Sequence, residues 1–553
     1  MSGTEKKALA AVLIFGAVFA VYAPALSNGF LAIWDDPAYI TANPDIAGIT
    51  LAHLKAVFSH IYVENYAPIH LLSYMMDYAL YGLSAAGFHL TNNLVHGFNG
   101  ALVFLLIYRV SKDLSLSILS ALLFALHPVQ VESVVWLSER KTILAAAFGL
   151  GSFLVFLRFL DRRGRGLYVS ALLLFAAALL SKASVVILPL LFLVYLLLFP
   201  HEKRHLWFPV IPFFLLAAAG AVLTVMTQRR VIVPYYGGSP YATALTMLPV
   251  LAEYLRIFLF PFNLSPSYQP VIYRTFFTPQ VFLSLLFLLM LVFLVWRLRR
   301  DREVLFWAAW VFIPLLPVLQ IIPFVTIMND RYLYLSLIGM APLMVKTIRR
   351  AAGRNGAVMV TALILALILP QTISRARLWR PGPDLWLDAI RHYPENETLY
   401  LQLATVYQKG GRIRAAETAF RKAAAIDSGD LTLHKKYGAL LMQAGRDEDA
   451  KRELQRVYDA GRRDVELLSN LAYACLDTGD PVSALQHFRE ALSMNDRDAN
   501  SIYGMAMVHE RMGKWDRAAD FWRRFLEVTP PNNAWRGKVE QSLRRDEAKA
   551  GGE

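Results

Sequence analysis

Long apolar segments fill the first two thirds of the chain and are missing from the last third. A membrane-spanning helix needs ~20 mostly apolar residues, and segments of about that kind recur up to residue 373. The pattern predicts eleven spans, near residues 7–26, 88–108, 114–127, 142–160, 167–181, 184–199, 206–226, 277–298, 304–322, 332–347 and 356–373. We therefore expect an all-α protein in which residues 1–373 form a polytopic membrane helix bundle.

A 34-residue repeat organises the polar C-terminal part. Small residues recur at one position of the repeat, and large apolar residues recur at another: Ala404, Gly438, Ala472, Ala506 and Phe420, Leu454, Phe488, Trp522. This period is the signature of tetratricopeptide repeats, which stack into an α-solenoid with a concave binding surface. We predict a linker over 374–396, four repeats over 397–532 and a tail over 533–553. The repeats would bind a protein or peptide; a packing or oligomerisation spacer is the alternative.

Lys and Arg residues between the spans predict their orientation. Cytoplasmic loops carry an excess of these residues, which places the N-terminus inside and puts five loops outside: 27–87, 128–141, 182–183, 227–276 and 323–331. With eleven spans, the repeats also lie outside the cytoplasm, as in a bacterial inner membrane with periplasmic repeats. Segment 244–261 is apolar enough to span, but it contains Glu253 and Arg256. We interpret it as a helix at the outer interface, and the sequence leaves both alternatives open.

Composition and charge narrow the function classes. Hydrophobic residues make up 56% of the chain and charged residues 18%, and Cys475 is the one cysteine. A disulfide framework and a thiolate zinc site are therefore excluded. The net charge of +14 fits basic cytoplasmic loops and contact with anionic membrane lipid, and we expect no nucleic-acid partner.

Two adjacent carboxylates, Asp35 and Asp36, follow the first span in an outward loop. Neighbouring residues on an extended chain point to opposite sides, so one can face a substrate while the other holds a helix N-terminus or a cation. Proximity of like charges raises a carboxyl pKa and can prepare it for base catalysis. A turn or helix cap before Pro37 is the alternative.

The other outward loops carry a cluster of charged residues and one histidine. They are His127, Glu132, Arg140, Lys141, Lys182, Asp330 and Arg331. The cations are candidates to bind a phosphate, and His127, Glu132 and Asp330 are candidates to position a sugar or a partner group, because ionisable groups at a membrane edge are often functional. The structural alternatives are that His127 caps a span, that Lys182 extends to the interface, and that Asp330 pairs with Arg331.

The order of these motifs resembles a known family. The motifs are the acidic pair, Gly87–Asn92, His-Pro-x-x-x-Glu at 127–132, Glu-Arg-Lys at 139–141, Asp-Arg-Tyr-Leu-Tyr at 330–334, and the repeats. Together they resemble the transmembrane-and-tetratricopeptide O-mannosyltransferases and their bacterial relatives, within the C-type glycosyltransferase (GT-C) superfamily. The resemblance implies an inverting enzyme with a polyprenyl-phosphate sugar donor and an extracytoplasmic acceptor. The chain departs from the family at Thr142 and Ala183, where relatives often carry an acidic residue.

These observations give one hypothesis and two alternatives. Asp35 or Asp36 takes the acceptor proton, and Arg140, Lys141, Lys182 and Arg331 hold the donor phosphate. We further predict that Arg140 and Arg331 share one polar cavity with the acidic pair. The alternatives are a non-enzymatic membrane-anchored scaffold for envelope assembly and a transferase acting on envelope lipid or glycan. No cofactor follows from the sequence, and the need for a divalent cation, the sugar and the acceptor stay open.

Overall fold

The computed structural model describes residues 2–199 and 208–551, and within these ranges the chain is all-α with no strand. It forms two compact units, Met1–His392 and Tyr393–Glu553. The predicted fold class, membrane helices followed by a repeat solenoid, is confirmed. The predicted linker, 374–396, contains the end of one helix and the whole of the next, Asp384–His392.

The first unit contains fifteen α-helices within the described ranges. Their bounds are α1 Gly3–Tyr22, α2 Leu51–Ser59, α3 Pro68–Tyr81, α4 Ala85–Ser111, α5 Leu114–Ala125, α6 Val131–Val135, α7 Arg140–Arg162, α8 Arg165–Leu179, α9 Leu188–Leu198, α10 Ile211–Thr227, α11 Pro240–Leu259, α12 Pro279–Arg297, α13 Arg302–Phe312, α14 Leu337–Leu378 and α15 Asp384–His392. Short 3₁₀ turns connect several of them.

Seven helices in the described ranges are long and apolar enough to cross a membrane, or eight if the bent pair Leu114–Ala125 and Pro128–Val135 counts as one. Eleven were predicted, and a helix lies at each predicted position. The numbers differ because α8 and α9 are short, α13 continues as a 3₁₀ helix, and the last two predicted spans are arms of one helix, α14. Helix α11 is also long enough to cross.

Helix α14 folds back on itself at Gly353. A straight helix of 42 residues would extend ~63 Å, yet Arg375 near its end lies 2.8 Å from Asp330, just before its start. Gly353 has φ +72° and ψ −176°, a conformation that glycine adopts without a steric penalty. The two arms therefore form a helical hairpin whose ends meet at one face of the bundle.

A layer of ion pairs lies at the opposite end of the bundle, at the Gly353 turn. Its members are Arg109, Asp113, Asp161, Asp301, Lys346 and Arg349, paired as Arg109–Asp161, Arg349–Asp113 and Lys346–Asp301. We call this the basic layer. On α4, Arg109 is 17 residues beyond Asn92, whose side chain donates to the Val134 carbonyl oxygen near the other end. At 1.5 Å per residue this separation is ~26 Å, close to the ~30 Å hydrocarbon thickness of a bilayer.

Helix α11 contacts residues at the Asp330 end of the bundle from both of its ends. Before its start, the Tyr236 hydroxyl donates to the Phe324 carbonyl oxygen at 2.5 Å. Near its end, the Tyr254 hydroxyl accepts from the Asn329 backbone N–H at 3.2 Å. These contacts favour a helix that lies along this face over one that crosses to the basic layer.

The second unit is a stack of helix pairs. The helices are α16 Glu397–Lys409, α17 Ile413–Ile426, α18 Leu431–Gln443, α19 Asp447–Asp459, α20 Val465–Asp477, α21 Pro481–Met494, α22 Ala499–Arg511, α23 Trp515–Val528 and α24 Arg536–Ala550. The first eight form four pairs, each turning at a glycine with φ between +70° and +83°: Gly411, Gly445, Gly479 and Gly513. The repeated large residues, such as Phe420 and Trp522, are buried between the paired helices.

Candidate functional site

Asp36 is the buried member of the acidic pair. One carboxylate oxygen accepts from the Leu31 backbone N–H at 2.8 Å. The other accepts from the Trp136 indole N–H at 3.1 Å, the Ser138 backbone N–H at 3.2 Å and the Ser138 hydroxyl at 2.5 Å. Burial outweighs these donors and raises the pKa of Asp36 to about 6. Because its oxygens are committed to four donors, Asp36 ties the loop that follows α1 to the segment around residue 137.

Asp35 is the accessible member of the pair. Its side chain is 26% exposed, and its carboxylate lies 3.9 Å from the Lys141 ammonium. Burial raises the pKa of Asp35, while Lys141 opposes that shift. The residue before it, Trp34, has φ +67°, a conformation that costs a bulky residue of order 1–3 kcal/mol. This backbone turn precedes a pair in which Asp36 points inward and Asp35 points toward the open side.

Glu139 gathers three cations from separate parts of the chain. Its carboxylate lies 2.9 Å from the Lys182 ammonium, 3.4 Å from the Lys141 ammonium and 3.5 Å from the Arg331 guanidinium. It also accepts from the Thr142 hydroxyl at 2.6 Å. Glu139 therefore places its carboxylate beside Thr142 and Lys182, the region where the chain lacks the acidic residues of the resembled family.

Glu132 completes this group. Its carboxylate pairs with the Arg331 guanidinium and accepts from the Arg331 backbone N–H at 3.1 Å. The guanidinium also lies over the Trp136 ring, 5.4 Å from its centroid. We call the six residues Asp35, Glu132, Glu139, Lys141, Lys182 and Arg331 the ionic cluster. It holds three positive and three negative side chains, and Lys182 and Arg331 remain 19% and 16% exposed.

Arg140 does not join the ionic cluster. The prediction that Arg140 and Arg331 share one polar cavity with the acidic pair is therefore wrong for Arg140. Its side chain is fully buried and lies 2.5 Å from the Asp77 carboxylate. It donates to the Asn92 side-chain oxygen at 2.6 Å, and its guanidinium lies 4.6 Å from the centre of the Tyr74 ring. Successive helix residues are ~100° apart, so Arg140 faces α3 and α4 while Lys141 faces the acidic pair. These contacts favour a structural role for Arg140 over the predicted phosphate-binding role.

The side chains of His127 and Asp330 form hydrogen bonds with other parts of the chain. The His127 ring accepts from the Val129 backbone N–H at 3.3 Å, which caps the following 3₁₀ turn, and its other nitrogen lies 3.2 Å from the Phe258 carbonyl oxygen. Asp330 accepts from Arg375 at 2.8 Å and from the Tyr268 hydroxyl at 2.6 Å. The alternative that Asp330 pairs with Arg331 is wrong, because Asp330 pairs with Arg375 and Arg331 pairs with Glu132.

Sequence reasoning missed two residues of this region. Glu139 was visible in the Glu-Arg-Lys run but was given no role, and Arg375 was assigned to a linker because the surrounding stretch is basic and rich in Pro and Gly. Among residues 2–199 and 208–551, no group of three or more His, Cys, Asp or Glu side chains has a geometry that could hold a metal ion.

The comparisons with known proteins identify the repeats and agree with the resemblance. A family model, the tetratricopeptide repeat, matches residues 388–529. Human protein O-mannosyl-transferase TMTC3 is 30% identical over 156 residues, which is 26% of this chain and 16% of that protein. Drosophila melanogaster protein O-mannosyl-transferase Tmtc2 is 32% identical over 189 residues, 30% of this chain and 19% of that protein. The resemblance to these transferases is confirmed.

The matched regions are limited in extent. The match spans about a sixth to a fifth of the length of these curated relatives. Among solved structures, a crystal structure of MamA aligns at 20% identity over 29% of this chain and 84% of that chain, with a TM-score of 0.27. YrrB, a tetratricopeptide protein with an unusual peptide-binding site, aligns at 18% identity over 31% of this chain and 86% of that chain, with a TM-score of 0.28.

Proposed function

We propose that this chain is an integral-membrane glycosyltransferase that moves a sugar from a polyprenyl-phosphate donor to a hydroxyl of an extracytoplasmic protein. The observation that carries the proposal is the ionic cluster, which brings the accessible carboxylate of Asp35 within 3.9 Å of the Lys141 ammonium. The similarity to protein O-mannosyl-transferases supports the reaction class. The donor, the inverting course and the GT-C class follow from the motif resemblance.

The reaction needs a base for the acceptor proton and cations for the departing phosphate. The acceptor oxygen forms a bond to the anomeric carbon as the bond from that carbon to the phosphate oxygen breaks, which inverts the configuration. Asp35 takes the hydroxyl proton, and Lys141, Lys182 and Arg331 balance the charge of the departing phosphate. Arg331 suits this task because a guanidinium can hold two phosphate oxygens.

The basic layer at one end of the bundle and the ionic cluster toward the other suggest the orientation of the bundle in the membrane. The basic-layer end carries the basic stretches 162–165, 297–302 and 346–354, and an excess of Lys and Arg belongs on the cytoplasmic side. The ionic cluster lies toward the Asn92 end of α4, about one hydrocarbon thickness away. We place the ionic cluster and the repeats outside the cytoplasm and the N-terminus inside. A donor with a polyprenyl chain would then meet the ionic cluster at the outer leaflet.

The repeats offer a surface for the acceptor. Tetratricopeptide arrays bind peptides and partner proteins on their concave face, so the acceptor in this proposal is a Ser or Thr hydroxyl of a protein held by the repeats. A transferase acting on envelope lipid or glycan would use the same ionic cluster. A scaffold for envelope assembly would not require Asp35.

Glycan analysis of envelope proteins from cells with and without the gene tests the proposal. Re-expressing the unaltered chain should restore a hexose on Ser or Thr of at least one protein, and Asp35→Asn should not. The matched control is Asp384→Asn, at the start of α15, where Asp384 forms a surface pair with Arg380; it should restore the hexose fully. A glycan that appears only on lipid would favour the lipid acceptor. Full restoration by Asp35→Asn would contradict the proposed role of Asp35.

A further inference from the structure

A pocket opens on the second unit between the third and fourth helix pairs. Its volume is about 380 Å³, within the range of ~300–1,000 Å³ that is usual for ligand pockets. Helices α21, α22 and α23 supply its lining residues: Arg489, Leu492 and Ser493, then Met505 and His509, then Arg517, Phe521 and Arg524. Neither the repeat motif nor the proposed reaction accounts for this pocket.

The pocket lies on the outer face of the solenoid. Consecutive first helices of the pairs touch each other, as where the Ser469 hydroxyl on α20 lies 2.7 Å from the Ser501 hydroxyl on α22. In a curved stack, helices that touch in this way lie on the inner side. The pocket instead opens between the second helices α21 and α23, with α22 as its floor. A peptide held on the concave face would therefore leave it free.

The charged side chains that line the pocket are all arginines. Arg489 and Arg517 are exposed, and within the described residues neither pairs with a carboxylate. By contrast, Arg523 on α23 pairs with Asp520 and Glu547. Beyond His392, the chain contains 25 Lys and Arg residues and 25 Asp and Glu residues. The second unit is therefore neutral as a whole, and the excess of positive charge is local to the pocket.

The imidazole of His509, at the floor of the pocket, is surrounded by cations. The residue is 2% exposed, and its Nδ1 atom is buried without a hydrogen-bond partner among the described residues. Its ring stacks on Phe521, with 5.5 Å between the ring centres and 17° between the planes. Burial and three cations, Arg517, Lys514 and Arg489, lower the pKa of this imidazole. An anion in the pocket would supply the counter-charge that this part of the described chain lacks.

Apolar side chains form the rest of the wall. Leu492 and Phe521 are half-buried, and Met505 on the floor is 3% exposed. A ligand must therefore combine negative charge with apolar surface, which excludes inorganic phosphate. A membrane presents its anionic groups on a plane, which does not reach a floor recessed between two helices. An apolar side chain of a peptide can reach it while neighbouring carboxylates contact the arginines, whose planar forks suit a carboxylate.

We propose that this pocket binds a linear segment of a partner protein in which Asp or Glu residues flank a large apolar residue. The apolar side chain enters over Met505, between Leu492 and Phe521. The flanking carboxylates pair with Arg489 and Arg517 at the rim. The site uses no residue of the ionic cluster and lies off the concave face, so it would join a second protein to the repeats while an acceptor is bound. The inference does not depend on the proposed reaction.

Fluorescence anisotropy with the purified full-length chain in nanodiscs tests the inference. The probe is a fluorescein-labelled peptide in which Asp and Glu flank one Phe. We expect saturable binding that is at least tenfold weaker in the double variant Arg489→Gln/Arg517→Gln, which changes exposed side chains and leaves the core intact. The matched control is Arg462→Gln/Arg544→Gln, which removes two other exposed arginines of the second unit and should bind as tightly as the unaltered chain.

Changes in the peptide separate the two parts of its recognition. Replacing its Asp and Glu by Asn and Gln should abolish binding, and replacing its Phe by Ser should weaken binding at least threefold. A lack of saturable binding, equal binding of the Asn/Gln peptide, or unchanged binding by Arg489→Gln/Arg517→Gln would overturn the inference.

Competition distinguishes the peptide from other occupants of the pocket. Equal competition by inorganic phosphate or by phosphatidylglycerol vesicles would overturn the inference. Self-association of the chain that the same double variant abolishes, and that the peptide does not inhibit, would also overturn it by assigning the pocket to a second copy. Specific peptide binding by a chain that transfers no sugar would uphold the inference while the proposed function fails.

Discussion

Replacing Glu139 by Gln tests whether one carboxylate organises the cation cluster. The substitution keeps the size of the side chain and removes its charge. In the unaltered chain this carboxylate lies within 3.5 Å of cationic groups on Lys141, Lys182 and Arg331. After the change, three cations face two carboxylates, those of Glu132 and Asp35, and the cluster gains one uncompensated positive charge.

The size of the effect follows from burial. Removing one partner of a buried ion pair costs about 3–5 kcal/mol because a charge is left unpaired away from water. Lys182 and Arg331 are 19% and 16% exposed, so water screens part of the excess charge. We therefore expect a loss of about 3 kcal/mol, near the lower end of that range.

Thermal unfolding in detergent measures this loss, and a lipid phosphate reveals its cause. Glu139→Gln should melt at a lower temperature than the unaltered chain. Isoprenyl phosphate should raise the melting temperature of Glu139→Gln by at least twice as many degrees as it raises that of the unaltered chain, because the anion supplies the missing negative charge. Glu253→Gln, in a half-exposed pair with Arg256, is the control and should lose less than about 1 kcal/mol. An unchanged melting temperature in Glu139→Gln, or equal stabilisation of both proteins by the lipid, would refute this reasoning.

Three further predictions follow from other residues. Because burial raises the pKa of Asp36 from 3.8 to about 6, the folded chain binds this proton more tightly than the unfolded chain. Stability should therefore fall by about 2 kcal/mol between pH 4 and 6, and melting curves of Asp36→Asn should lack this part of the slope. Arg140→Met leaves the buried Asp77 carboxylate unpaired and should cost about 3–5 kcal/mol, while donor KM in the folded fraction stays unchanged; a raised KM with unchanged melting would contradict its structural role. Gly504→Val should destabilise the repeats by about 1–3 kcal/mol, because a Cβ there would lie 2.0 Å from a Phe488 ring carbon. Limited proteolysis of the C-terminal unit should be faster, and equal proteolysis rates would contradict this prediction.

The helices were predictable where one local pattern decides them. The repeats follow from a 34-residue period, and α1, α7 and α12 follow from apolar runs of spanning length. The hairpin of α14 was less accessible, because two apolar arms separated by a basic stretch have the same pattern as two separate spans. Whether α11 crosses depends on the residues that its ends contact, and Phe324 and Asn329 are distant in the sequence.

The site residues, like the helices, were predictable only where a local sequence pattern identifies them. The acidic pair and the cations were found because ionisable residues are rare next to apolar spans. Which aspartate is buried could not be deduced, since Trp136 and Ser138, about a hundred residues away, decide it. Arg140 was misassigned because adjacent helix residues face different neighbours, and a list of loop charges does not show which neighbour each one meets.

Sugar transfer by the purified chain in lipid nanodiscs tests the central claim most directly. The substrates are a radiolabelled polyprenyl-phosphate mannose and a Ser/Thr-containing acceptor protein identified by the glycan analysis. We predict transfer by the unaltered chain and a rate lower by ~10²–10⁴-fold for Asp35→Asn, because that variant lacks the general base, with donor affinity within about threefold of the unaltered chain since Lys141, Lys182 and Arg331 remain in place. An unaltered rate for Asp35→Asn would contradict the account.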